Sequence, residues 1–155
     1  MKLEKAIFAC GCFWGAQYQF EHAKGVVRST VGYIGGHKEH PAYEEVKAHT
    51  TGHAEATLVE FDAEQTSFTE LCKLFFEIHD PAQTDGQGPD IGPQYRSEIF
   101  YLNDKQKKEA EAVIALLREK GYEVNTKLTP ATTFWEGEEY HQHYYDKTGG
   151  EPYCH

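Results

Sequence analysis

In Ala6-Ile7-Phe8-Ala9-Cys10-Gly11-Cys12-Phe13-Trp14-Gly15-Ala16-Gln17-Tyr18-Gln19-Phe20 the pattern of apolar residues changes abruptly. An apolar run ends at a glycine, and an amphipathic pattern with Phe13, Ala16 and Phe20 begins two residues later. That order predicts a buried strand, a tight turn and a helix. It puts Cys12 in the first turn of the helix, where unpaired backbone N–H groups and the helix dipole favour a thiolate. Two large aromatics follow at once, so the thiolate would sit beside an apolar wall. On spacing alone a buried, inert cysteine is the competing reading.

Working outward, the chain has 155 residues with 39% hydrophobic and 14% aromatic content, the profile of one globular domain with a real core. A net charge of −10 argues against nucleic-acid and anionic-membrane binding. Four cysteines (Cys10, Cys12, Cys72, Cys154) are too sparse for a disulfide scaffold and point to a reducing compartment. Lys2 and Lys5 before a small-residue run loosely mimic a signal peptide, but the run is short and broken by glycines. No apolar stretch approaches the roughly 18 residues of a membrane span. The expectation is a cytoplasmic chain.

Strands are predicted at 5–10, Val26–Tyr33, Ala54–Asp62, Ser97–Leu102 and Val124–Leu128. Helices are predicted at 13–23, Ser67–His79 and from a cap at Asp104 to about Lys120, with a short helical turn at Tyr43–Val46. Val27, Val31 and Tyr33 fall on one face of the second strand. The third slips phase at Leu58-Val59, which predicts a bulge or burial on both faces. Phe68, Leu71, Cys72 and Phe75 form the core stripe of their helix. Asp80 to Tyr95, about 16 residues rich in Gly and Pro, is a long loop of the kind that carries function. The order predicts an α+β two-layer sandwich: a mixed sheet with helices packed on it, as in a ferredoxin-like plait. All 155 residues are expected to form one domain, with a mobile tail from about 146.

Six ordered landmarks then resemble the A-type peptide methionine sulfoxide reductases. They are Gly11–Gly15 (GCFWG), Tyr33–His37 (YIGGH), Pro41–Val46 (PAYEEV) with Thr51–Glu55 (TGHAE), Phe76–Pro81 (FEIHDP), Gly88–Ser97 (GPDIGPQYRS), and Tyr140–Gln142 with Tyr153-Cys154. The resemblance covers nearly the whole chain. It implies reduction of the S epimer of methionine sulfoxide, one of the two chiral lesions that separate reductases repair.

By the resemblance Cys12 is the nucleophile that attacks the sulfoxide sulfur. Glu45 is the acid that protonates the departing oxygen, a role that needs burial; from the residues alone it reads as a solvated charge. Tyr33 and Tyr95 hydrogen-bond the sulfoxide oxygen as neutral phenols. Asp90 fixes the site from its loop, although a loop Asp is also an ordinary turn residue. Phe13 and Trp14 hold the S-methyl group. Oxygen loss leaves Cys12 as a sulfenic acid, and Cys154 condenses with it to a disulfide that a thioredoxin-type dithiol reduces. The resemblance implies methionine sulfoxide and thioredoxin as partners; no cofactor and no metal are expected, and the chain is expected to be a monomer.

Some relatives carry two recycling cysteines in the tail; here His155 follows Cys154 directly. Cys10 stands where a small residue is usual, and Lys47 where a further cysteine is common. Two other functions compete. A metal module would use Cys10-x-Cys12, His141-x-His143 and Cys154-His155, spacings unlike the usual C-x2-C. A general thiol peroxidase would share Cys12 and need neither the acid nor the methyl pocket.

Overall fold

The computed structural model describes residues 2–11, 13–48, 51–83, 86–87 and 90–143. Cys12, Cys154 and the tail from 146 lie outside the described residues. Strand β1 (Leu3–Cys10) leads through the glycine turn to helix α1 (Phe13–Glu21), then to β2 (Val26–Ile34), the short helix α2 (Tyr43–Lys47) and β3 (Ala54–Asp62). Helix α3 (Phe68–Glu77) follows. The next stretch holds β4 (Gly86–Gln87), β5 (Asp90–Ile91) and a 3-10 turn at Pro93–Tyr95. Strand β6 (Ser97–Tyr101), helix α4 (Asp104–Glu119), β7 (Lys127–Pro130), β8 (Trp135–Glu136) and a 3-10 turn at Glu139–His141 complete the order.

The main sheet runs β7-β6-β1-β3-β2-β8. Its neighbours are antiparallel except β6 and β7, which run parallel, so the sheet is mixed. The four inner strands, with α1 and α3 as their crossovers, have the ferredoxin-like order, and β7 and β8 are added at the edges. The α+β reading therefore holds. Phe8 anchors the helix-covered face, stacked on Phe20 at 5.0 Å and on Phe75 at 5.3 Å, with Cys72 and Ala110 in the same cluster. Ile7, Ala9, Ile34, Ala54, Ala56 and Phe100 fill the other face. Strand β3 is thus buried on both faces: Ala54, Ala56 and Leu58 point one way, and Val59 and Phe61 the other. Its pairing with β1 is unbroken.

The bulge lies instead in β2, between Val26 and Arg28. It throws Val27 out of phase to 51% exposure, while Val31 and Tyr33 keep the core face. Helix α4 is capped by Asn103, whose side chain accepts from the Gln106 N–H at 2.9 Å; Asp104 is the first helical residue and not the cap. The last sheet partner starts later than the apolar pattern predicts. Val124 O accepts from the Arg118 guanidinium, Asn125 N–H donates to Pro81 O, and Thr126 meets Ser97. With these groups engaged, the ladder begins at Lys127.

Candidate functional site

The site is built where β1 turns into α1. Gly11 takes φ +99°, a left-handed conformation that only glycine adopts without strain. Cys12 falls between Gly11 and Phe13, and Phe13 is the first residue of α1. The Phe13 N–H donates to Glu55 Oε1 at 3.2 Å. Glu55 belongs to β3, where period two puts it on the face shared with Thr57, Val59 and Phe61, under α1. It is only 1% exposed. A carboxylate at a helix N-terminus meets the positive end of the dipole, which offsets part of the cost of burying it.

Tyr33 lies directly opposite Glu55 in the β2–β3 ladder. Its ring is fully buried, and its hydroxyl donates to Glu138 Oε1 at 2.8 Å. Burial pushes the Tyr33 phenol well above its ordinary range, and the Glu138 carboxylate adds to the shift. Glu138 Oε2 accepts from the Tyr43 N–H at 3.0 Å. Burial alone would raise the Glu138 pKa, but the bonds from Tyr43 and Tyr33 outweigh it and hold the carboxyl below the ordinary glutamate range.

Around these groups lie aromatic rings. Phe13 is 5.7 Å from Tyr33, 6.3 Å from Tyr43 and 5.2 Å from His141, centroid to centroid. Tyr43 and His141 approach to 4.2 Å. The Trp14 indole Nε1–H donates to His141 Nδ1 at 2.9 Å. Burial lowers the His141 pKa, which keeps the Nδ1 lone pair available to that indole.

Two of the residues singled out from sequence are placed against expectation. Glu45 is not buried: its side chain is 35% exposed and ion-paired with Lys38. Its Oε1 accepts from the Ala42 N–H at 3.1 Å, so it caps α2. Tyr33 is at the site, but its hydroxyl is engaged by Glu138. Phe13 and Trp14 stand together in one apolar cluster with Tyr33, Tyr43 and Val46. Tyr95 ends the 3-10 turn that packs against β3, and Asp90 opens β5 in the same stretch. Cys10 and Cys72 are buried in the core, where burial pushes both thiols far up and away from thiolate chemistry.

Sequence reasoning gave no place at this site to Glu55, Tyr43, Glu138, His141 or Gln142, although all but Glu138 lie within the quoted landmarks. The Gln142 side-chain amide acts as a substitute strand: it accepts from the Val31 N–H and donates to Val31 O, both at 2.9 Å. A visible signal for Glu55 was a lone carboxylate in the apolar run Ala54-Glu55-Ala56. The two histidines face apart, His141 on Trp14 and His143 on Glu21. Among the described residues no group of three or more His, Cys, Asp or Glu is arranged to hold a metal ion. Among the same residues no helix is long and apolar enough to cross a membrane.

This mixed sheet, with a charged and aromatic site at one helix N-terminus, defines a two-layer α+β protein. Residues 4–155 match the peptide methionine sulfoxide reductase family, and the chain belongs to that family. It is similar to the peptide methionine sulfoxide reductase MsrA of Geobacter sulfurreducens, 48% identical over 151 residues that span 96% of this chain and 93% of that one. Its fold is similar to reduced Mxr1 from Saccharomyces cerevisiae, with a TM-score of 0.92, 33% identity and coverage of 99% and 90% of the two chains. Mxr1 in complex with Trx2 also matches, with a TM-score of 0.65, 25% identity and coverage of 92% and 85%. The family reduces methionine sulfoxide, and the chain is an oxidoreductase of this kind.

Proposed function

We propose that the chain reduces the S epimer of methionine sulfoxide, free or in proteins, through a sulfenic acid on Cys12. The Cys12 thiolate attacks the sulfoxide sulfur, and the oxygen is protonated as the S–O bond breaks. The oxygen leaves as water, and a water molecule then attacks the Cys12 sulfur, breaking the S–S bond formed by the attack and releasing methionine. The net step is Cys12–SH plus sulfoxide giving Cys12–SOH plus methionine, with two electrons passed from the thiol to the substrate sulfur. Cys154–SH then condenses with Cys12–SOH, releasing water and leaving a disulfide. A thioredoxin-type dithiol reduces that disulfide by exchange and is itself oxidised; the solved complex of Mxr1 with Trx2 supports this partner. Residues 1–155 act as one catalytic domain, cytoplasmic and monomeric, with the tail supplying the second thiol.

The observation that carries the reading is the buried Glu55 against the N–H of Phe13, next in sequence to Cys12. The donor must be shielded from water and close to the nucleophile. Glu55 is buried beside Phe13, whereas the Glu45 side chain is 35% exposed and ion-paired with Lys38. The acid role is therefore assigned to Glu55. Because the Tyr33 hydroxyl donates to Glu138, its role on the sulfoxide oxygen is assigned to Tyr43, half-buried and stacked beside Phe13. Tyr95 and Asp90 keep their roles on the substrate oxygen and in the loop. Phe13 and Trp14 form the methyl pocket, with the indole held by His141.

The test is a single-turnover measurement on the S epimer. Glu55→Gln should slow the step by roughly 10²–10⁴-fold, the usual size of an acid–base contribution. Glu45→Gln should leave it near wild type. The reverse ranking overturns the assignment.

A further inference from the structure

Glu138 touches neither Phe13 nor Trp14 in the contacts that define the site, yet it joins two segments that bear on it. One carboxylate oxygen accepts from the hydroxyl of Tyr33, fixed in β2, and the other accepts from the backbone N–H of Tyr43. Tyr43 is the first residue of α2, a helix of only five residues. A helix that short has little stability of its own, so its placement depends on tertiary bonds. Further ties are the Tyr43 ring packed on Phe13 and His141, the buried Val46, and the Lys38–Glu45 ion pair, largely at the surface. Glu138 in turn is held by the 3-10 turn at Glu139–His141, where the His141 N–H donates to Glu138 O at 3.0 Å. The result is a two-armed clamp from the sheet, through a carboxylate, to the residue that bears the phenol.

We propose that Glu138 is a positioning residue for sulfoxide reduction, setting the Tyr43 phenol by clamping the start of α2 to the buried Tyr33. Buried Tyr33 is the fixed post and not a substrate donor. The clamp acts through geometry, so its charge is secondary. A neutral amide of the same shape can accept from the Tyr43 N–H through its oxygen and donate to the Tyr33 oxygen through its nitrogen. A displacement of about 1 Å in a donor suffices for large losses of rate.

This inference rests on the assignment of Tyr43 made above, and the experiment separates the two. Single-turnover rates and KM for the S epimer are measured for Glu138→Ala, Glu138→Gln, Tyr33→Phe and Tyr43→Phe, and for Glu138→Ala combined with Tyr43→Phe. The clamp predicts that Glu138→Ala slows the reductase step about 10-fold or more while KM changes less. Glu138→Gln should recover most of the rate, and Tyr33→Phe, with one arm cut, should lie between. In the Tyr43→Phe background Glu138→Ala should cost little further, because the phenol it places is gone. Equal loss in both backgrounds, or a Glu138→Gln rate as low as that of Glu138→Ala, overturns the clamp. A wild-type rate in Tyr43→Phe overturns the Tyr43 assignment itself. If Glu138→Ala fails to fold, the Tyr33→Phe and Glu138→Gln pair decides: Tyr33→Phe at the full wild-type rate overturns the clamp.

Discussion

At the scale of the residue, Glu55, fully buried, and Glu138, half-buried, show how this fold holds carboxyl groups at the site. Each has backbone N–H or hydroxyl donors aimed at it, without which burial costs several kcal/mol. For Glu138 the consequence is measurable. Its folded pKa lies below the ordinary 4.5, because the Tyr43 and Tyr33 bonds more than offset burial. Its ionised form therefore contributes stability in full above pH 4.5, and the contribution fades as pH falls through the lower folded value. The Tm difference between wild type and Glu138→Gln should be constant at neutral pH and shrink below pH 4.5. A difference that widens in acid would contradict the bonding described. These roles were the least legible from sequence. Glu45 and Glu55 are both acidic residues within ordered landmarks, and only the faces of α2 and β3 distinguish them. Alternation along β3 places Glu55 with Val59 and Phe61, whereas Glu45 sits among Glu44 and Lys47 with Val46 alone buried. Tyr33 was legible as a core-facing residue of β2, but the partner that occupies its hydroxyl lies 105 residues away.

At the scale of the element, β8 is the feature no local pattern announced. It has two residues and pairs with Gly32 and Tyr33 of β2, carrying the chain back over the site toward Glu138 and His141. Gly32 is what admits it. A Cβ there would lie 2.3 Å from the Trp135 carbonyl oxygen, a backbone contact that no side-chain rotation relieves. Gly32→Ala should therefore cost about 1–3 kcal/mol and loosen β8 together with the clamp residue that follows it. Hydrogen exchange is the check: amides of β8 and of 137–142 should lose protection while β1 and β3 keep theirs. Uniform protection would show that the edge does not depend on this glycine. The inner strands and helices were readable from their apolar runs and stripes: the α3 stripe of Phe68, Leu71, Cys72 and Phe75 is buried as expected. The β2 bulge and the late start of β7 were not, since both depend on partners distant in sequence.

At the scale of the whole molecule, the sheet brings together groups from β1, α1, β2, α2, β3 and the segment after β8, with the 3-10 turn of the Asp80–Tyr95 stretch packed on β3. Recycling is the part of the cycle that needs the rest of the chain. In Cys154→Ser the first turnover should proceed at the wild-type rate, since on the proposed route attack and oxygen loss use Cys12 and its donors. Turnover driven by thioredoxin should then fail, because Cys10 and Cys72 are locked in the core with their thiols protonated. Mass spectrometry of the wild type after one equivalent of substrate should show a Cys12–Cys154 disulfide; sustained thioredoxin turnover in the mutant would contradict it. The most direct test of the central claim is turnover of the two separated epimers of a blocked methionine sulfoxide, with dithiothreitol as reductant. The account predicts that the S epimer is consumed and the R epimer is untouched, and that Cys12→Ser consumes neither. Reduction of the R epimer, or S-epimer turnover surviving in Cys12→Ser, would contradict it.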